Sequence, residues 1–282
     1  MSDLKTVENH KVTLDAACKY IHENIGDRTI KTLVILGSGL AHFADSVEDS
    51  VTLRYEDIPG FAIPTVEGHI GEIVVGTLAG HPVAVMKGKI FTYEEAGFSG
   101  MSVPVRAFHA LGAENLLYSA SSGSLNLKSD VGSLVMLNDH LNLMGATPIT
   151  GNNETCFGPR FFDLEFSYDR QFMRLMHEAA VENDIQLFEG VYAGVRGPCF
   201  ETPAEIRMYK TMGADVIGHS VIPEVILARQ CGMKVVAVAN VTNLAVGLSS
   251  TDVNHEQTLH GANVAMEKVT RLFPAFLAKL NQ

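Results

Sequence analysis

The run Lys234-Val-Val-Ala-Val-Ala-Asn-Val241 constrains this chain more than any other stretch. It is apolar at nearly every position rather than at every second one, which predicts a strand buried on both faces. Thr32-Leu-Val-Ile-Leu36, Asn115-Leu-Leu-Tyr118, Ser133-Leu-Val-Met-Leu137, Gly190-Val-Tyr-Ala-Gly-Val195 and Ala214-Asp-Val-Ile-Gly218 read as strands too. Ile73–Leu78 and Pro82–Met86 look like two strands joined by the turn Ala79-Gly-His81. Between these runs lie helical patterns: about Thr13 to Asn24, Val103 to Leu111, about Asp169 to Asn183, about Pro203 to Met212, and Pro223 to Gln230. The last helix, from about Asn254 to Lys279, carries Ala262, Ala265, Met266, Val269, Leu272, Phe273, Phe276 and Leu280 at helical spacing, with Pro274 expected to kink it. Strands alternating with helices indicate an α/β fold, a single domain over residues 1–282 with a central mixed β-sheet flanked by helices.

Composition narrows the function. Hydrophobic residues make up 46% of 282 and charged residues 19%, which suits a chain with a substantial core. The net charge of −11, with no Lys/Arg run, argues against a nucleic-acid partner. No apolar run is long enough to span a bilayer and the N-terminus has no signal-peptide core, so a soluble cytoplasmic protein without a membrane partner is expected. Cys18, Cys156, Cys199 and Cys231 form no Cys-x-x-Cys pair and read as reduced thiols. The histidines fall into no zinc-binding spacing, so no metal is expected.

Chemistry concentrates at strand ends. After Thr32–Leu36 comes Gly37-Ser-Gly-Leu40, where backbone N–H groups and a hydroxyl converge on an anion or simply make a tight turn. Ser119-Ala-Ser-Ser-Gly-Ser124 is read as a small-residue loop that allows close approach to a ligand. Lys87-Gly-Lys-Ile-Phe-Thr-Tyr-Glu94 is a site wall or a solvated charge cluster. In Arg196-Gly-Pro-Cys-Phe-Glu-Thr-Pro-Ala-Glu205, Thr202 caps a helix, Pro203 opens it and Glu205 closes a capping box. Phe200 and Glu201 therefore fall on a strand-to-helix loop, where an aromatic face beside a carboxylate either suits a flat heterocycle with N–H donors or is simply a core Phe and a solvated Glu. Thr147 to Asp163 is the longest irregular segment, a functional or intersubunit loop.

Taken together, these pieces resemble the trimeric purine nucleoside phosphorylase family, including its xanthosine-cleaving members. Besides those above, the matching segments are Gly68-His-Ile-Gly71, Asp139-His-Leu-Asn142, Phe157-Gly-Pro-Arg-Phe161, Val221-Ile-Pro-Glu-Val-Ile226, Thr242-Asn243 and Asn254-His-Glu256, spread over Thr32 to Leu259. The resemblance implies a glycosyltransferase of the pentosyltransferase class: phosphate cleaves 6-oxopurine nucleosides (inosine and guanosine, with xanthosine a further candidate) to free base and (deoxy)ribose 1-phosphate in purine salvage. Phosphate is then a co-substrate, and no cofactor is implied. Asn243, Glu201 and His255 become the catalytic set, with Asn243 and Glu201 on the base and His255 with Tyr93 on the ribose. Phe200, His219 and Thr242 complete the base and ribose contacts, together with Phe157 from a neighbouring subunit of a homotrimer. Ser38, Lys89, Ser121, Ser220 and His69 form the phosphate side.

The departures from the family pattern are local. Gly88-Lys-Ile-Phe-Thr-Tyr-Glu94 stands where Gly-Arg-x-His-x-Tyr-Glu is usual, so Lys89 loses a bidentate fork and Phe91 a hydrogen bond. Ala120-Ser-Ser-Gly123 replaces Asn-Ala-Ala-Gly, His219 replaces a methionine, and Val195 replaces the tyrosine of the xanthosine-cleaving members. His219 or the Ser121 and Ser122 hydroxyls are candidates to restore the lost phosphate contacts. Arg196 either reaches an acidic base or is solvated. A nucleoside-binding relative with weak or no phosphorolysis, or a hydrolase, remains the alternative.

Overall fold

The computed structural model describes residues 2–126, 128–151, 155–248 and 254–281. Its helices are α1 (Ser2–Ile25), α2 (Gly97–Ala110), α3 (Arg170–Glu182), α4 (Pro203–Thr211), α5 (Ile222–Gln230) and α6 (His255–Lys279). The strands are β1 (Thr32–Ile35), β2 (Glu48–Arg54), β3 (Glu72–Leu78), β4 (His81–Lys87), β5 (Asn115–Ser124), β6 (Leu134–Asn142), β7 (Leu187–Gly194), β8 (Val216–Gly218) and β9 (Lys234–Leu244). They form one mixed sheet in the order β2-β3-β4-β1-β5-β8-β7-β6-β9, so the expected α/β class with a mixed sheet holds. β5 is the hub. It runs parallel to β1 and β9 and antiparallel to β8, so β5, β8, β7, β6 and β9 close into a ring.

The helices cover both faces. Leu33 and Ile35 of β1 point to a cluster with Ala17 and Ile21 of α1, Phe108 of α2 and Leu227 of α5. Val34 and Leu36 point the other way, to Met176 of α3 with Val269 and Phe276 of α6. This period-two division of a continuously apolar run is why the strand carries no polar face. A smaller cluster docks Ile206 and Tyr209 of α4 on Ala193, Val195 and Ile217.

Several expectations need correction. Ser119–Ser124 is not a loop but the second half of β5, because β8 and β9 supply hydrogen-bonding partners there whatever the propensity of its serines. Thr242 and Asn243 lie at the carboxyl end of β9, which runs on to Leu244. The first helix and α2 both begin earlier than their apolar stripes suggest. β2 has no counterpart in the sequence reading: only Leu53 of it is buried, so its sequence carries no alternating pattern. Ala79 and Gly80, with φ of 50° and 73°, make the tight turn between β3 and β4. α6 continues through Pro274. The irregular segment from Thr147 to Asp163 holds one short helical turn, Thr155–Phe157, with residues 152–154 outside the described residues.

Candidate active site

The ends of β1, β5 and β9 meet the loops after β4, β7 and β8 around a cavity of about 330 Å³. That is the size of a small-molecule pocket. Its lining includes Ser38, Lys89, Tyr93, Ser121, Phe200, Glu201, His219, Ser220, Thr242, Asn243 and His255. Of the residues that the resemblance assigns to the site, His69 and Phe157 lie outside this lining.

At one end, Ser38 follows β1. Gly37 is required by crowding, since a Cβ there would stand 2.9 Å from the Ser121 backbone nitrogen. The Ser121 hydroxyl donates to the Ser38 carbonyl at 2.9 Å, joining the two strand ends. His69 stands directly behind, its Nε2 2.8 Å from the Ser38 hydroxyl oxygen. The Lys89 backbone N–H donates to His69 Nδ1 at 3.1 Å. That bond fixes the tautomer: Nε2 carries the hydrogen and donates to Ser38, whose own hydrogen is left for the cavity. Burial, helped by Lys89 and His255, lowers the His69 pKa to about 3, so the ring is neutral at pH 7. His69 thus orients Ser38 from behind.

The Lys89 ammonium does not project freely into this end. It pairs with Glu224 at 3.4 Å, both side chains being 3% exposed, and lies 4.4 Å from the Phe91 ring centroid. The same Glu224 oxygen accepts from the Tyr118 hydroxyl at 3.2 Å, while Glu224 Oε2 is buried with no hydrogen-bond partner among the described residues. The pair carries little net charge, so the donors at this end are mainly neutral hydroxyls and backbone amides. Phe91, where the resemblance implies a histidine, stacks on Tyr93 at 5.1 Å and meets His69 edge-on at 5.0 Å. Glu94 accepts from the Phe91 and Thr65 backbone N–H groups and so ties two walls together.

Ser220 is placed by a strained corner. Val221 has φ 69° and ψ −64°, and the Ile222 N–H donates to the Ser220 carbonyl at 2.8 Å. This is a γ-turn of the rare positive-φ kind on a β-branched residue. The Ser220 backbone N–H in turn donates to the Tyr192 hydroxyl at 3.2 Å. Strain held this firmly is characteristic of functional corners.

The opposite end holds Glu201, Asn243 and Phe200. Thr242 donates through its hydroxyl to Asn243 Oδ1 at 2.9 Å, and Asn243 Nδ2 donates to the Leu244 carbonyl at 3.1 Å. The second amide hydrogen of Asn243 stays available. His219 Nε2 stands 3.4 Å from Glu201 Oε1, so its partner is the carboxylate and not the Ser38–His69 end. Phe200, 40% exposed, sits at the rim. His255 opens α6 and donates from Nε2 to the Glu67 carbonyl at 3.2 Å, which in the neutral ring leaves Nδ1 as an acceptor. Burial and the nearby Glu94 raise the Tyr93 pKa to about 12, keeping the phenol protonated.

Other positions are less central or were missed. Arg196 is exposed and off the cavity lining. Phe157 packs in a separate hollow, 4.0 Å from the Arg106 guanidinium. Sequence reasoning missed the Tyr118, Tyr192 and Glu224 network, whose members come from β5, β7 and α5 and have no sequence proximity. Ser122, on the cavity wall, has a buried hydroxyl without a hydrogen-bond partner among the described residues. Among the described residues, no group of His, Cys, Asp and Glu gathers as a metal site, and no helix is long and apolar enough to cross a membrane.

Comparisons with known proteins agree with this geometry. A model of the phosphorylase superfamily matches residues 31–278. Purine nucleoside phosphorylase 1 of Bacillus subtilis is 38% identical over 269 residues, covering 95% of this chain and 99% of that protein. Purine nucleoside phosphorylase of Bos taurus is 36% identical, covering 88% of each. Among solved structures, Schistosoma mansoni purine nucleoside phosphorylase in complex with inosine superposes with a TM-score of 0.90 at 36% identity, covering 96% of this chain and 97% of that one. The chain belongs to the phosphorylase superfamily and, within it, to the purine nucleoside phosphorylases. It is an enzyme of the pentosyltransferase type, cleaving purine nucleosides with phosphate.

Proposed function

We propose that the preferred substrates are 6-oxopurine nucleosides, inosine and guanosine foremost, cleaved to free base and ribose 1-phosphate in purine salvage. The observation that carries this reading is Glu201 and Asn243 lining one end of the cavity whose other end is built from Ser38, Ser121 and Ser220. A carboxylate accepts the ring N1–H that an oxopurine has and a 6-aminopurine lacks. The Asn243 amide donates to N7 or O6 and stabilises the negative charge that moves into the departing base. Phe200 offers a stacking face, and Tyr93 and His255 offer hydrogen bonds to the ribose hydroxyls. Phosphate, held below C1′ by the Ser38 hydroxyl, the Ser121 backbone and Ser220, meets the oxocarbenium-like sugar as the base leaves. Lys89 lends its charge to this end only through a pair with Glu224. No cofactor enters the scheme.

The enzyme is further proposed to act in the cytoplasm as a homotrimer, with Phe157 reaching the site of a neighbouring subunit. The position of Phe157 away from its own cavity supports that role.

The test is release of free base from inosine, guanosine, xanthosine and adenosine, each with and without phosphate. Phosphate-dependent release from inosine and guanosine, with adenosine far slower, is expected. Release independent of phosphate would replace the reading with a hydrolase, and binding without release with a degenerate relative.

A further inference from the structure

His219 is a side chain of the cavity to which the proposed reaction gives no task. Its ring is boxed in on three sides. Tyr93 meets it edge-on at 6.3 Å, and Phe200 lies tilted at 6.2 Å. Gly197 is so close that a Cβ there would stand 2.6 Å from Nδ1. A ring this confined has few rotamers left. Its Nε2 faces Glu201 Oε1 at 3.4 Å, the two side chains being 14% and 8% exposed. Among the described residues, this is the sole hydrogen bond made by the Glu201 carboxylate. A short carboxylate arm, nearly buried and otherwise unheld, has no fixed direction in which to accept a ligand N–H.

We propose that His219 is a positioning residue for base recognition: its Nε2–H holds Oε1 of Glu201 so that Oε2 is presented to the ring N–H of an oxopurine. The inference deepens the proposed substrate class and rests on Glu201 being its reader. An Nε2–H donates to the carboxylate from the neutral or the protonated ring alike, so the hold does not depend on a proton arriving. Pre-orientation of this kind improves binding by removing the ordering cost at the moment of contact. It also gives His219 a different place from one on the phosphate: it acts at the base end, through another residue, without touching the reacting atoms.

The experiment is calorimetric binding of hypoxanthine and, separately, of inorganic phosphate to the native enzyme, His219→Met, His219→Gln, Glu201→Gln and the double variant His219→Met/Glu201→Gln. His219→Met is expected to weaken hypoxanthine about tenfold, the scale of one hydrogen bond to a charged group. Phosphate affinity should stay within about twofold, because neutral donors at the far end are untouched. His219→Gln, whose amide reaches the same carboxylate, should recover most of the loss. In the Glu201→Gln background, His219→Met should add little, since the group it positions is gone. An equal loss in both backgrounds would assign His219 to packing alone and overturn the proposal, as would a loss confined to phosphate. Hypoxanthine binding by a native protein that does not cleave inosine would sink the assigned reaction but leave this test intact. A native protein that binds no hypoxanthine would overturn both.

Discussion

His69 shows how a residue outside the cavity lining governs one inside it. The Lys89 backbone N–H decides which ring nitrogen carries hydrogen, and burial keeps the ring from charging, with a pKa of about 3. The consequence for stability has a definite sign. An unfolded chain takes a proton on this histidine below about pH 6.5, whereas the folded chain refuses it until about pH 3. The stabilisation is therefore complete above pH 6.5 and drains away as pH falls towards 3, by about 1.4 kcal/mol per unit. His69→Gln removes the titration and keeps a donor. Urea denaturation at pH 7 and pH 4.5 should show the native protein losing about 2–3 kcal/mol more across that interval than the variant. Equal losses would mean that the ring is solvated. Lys89 adds the counterpart lesson. Its cationic character was legible from sequence, but its partner Glu224 stands 135 residues away, and no local pattern announces a pair brought together only by folding.

At the scale of elements, α4 matters because its N-cap, Thr202, directly follows Glu201. Thr202 accepts from the Glu205 N–H at 3.3 Å through its hydroxyl, and Glu205 returns the bond to the Thr202 N–H at 2.7 Å. Thr202→Ala should cost about 1 kcal/mol of stability. Because the cap also fixes the Phe200–Glu201 loop, the KM for inosine should rise severalfold while that for phosphate stays near native. Steady-state kinetics with each substrate varied in turn would show this, and equal changes in both would detach the cap from the base end. This cap was legible because its reason is local: Thr202, Pro203 and Glu205 carry the signal themselves. The serines of β5 were not, because strand pairing with β8 and β9 overrides their preference for turns. β2 escaped for the opposite reason, as an edge strand with a nearly all-solvent pattern, EDSVTLR. Strand-to-helix loops bring Glu201, Ser220 and Ser38 to one cavity lining, as expected where the ends of strands collect ligand chemistry whatever their individual motifs.

At the scale of the whole molecule, the ring closed by β5, β8, β7, β6 and β9 brings segments as distant as Ser38 and Asn243 to one cavity, yet it leaves Phe157 elsewhere. The Phe157 ring packs under Arg106 beside Cys231, on the hollow lined by α1 and α2 residues. If Phe157 completes the site of a neighbour, two defects on different chains must complement. A Phe157→Ala chain retains Asn243 in its own cavity, and an Asn243→Ala chain retains the Phe157 it would lend. In trimers assembled at random from equal amounts of both, about a quarter of the sites join an intact Asn243 to an intact neighbouring Phe157. Coexpressed variants should therefore cleave inosine faster than the mean of the two variants purified separately, and light scattering should report a trimer. Activity at or below that mean would confine every catalytic group to one chain. The geometry of Phe157 would then be packing, and the cavity around Glu201 and Asn243 would have to bind and close on its substrate without a neighbour.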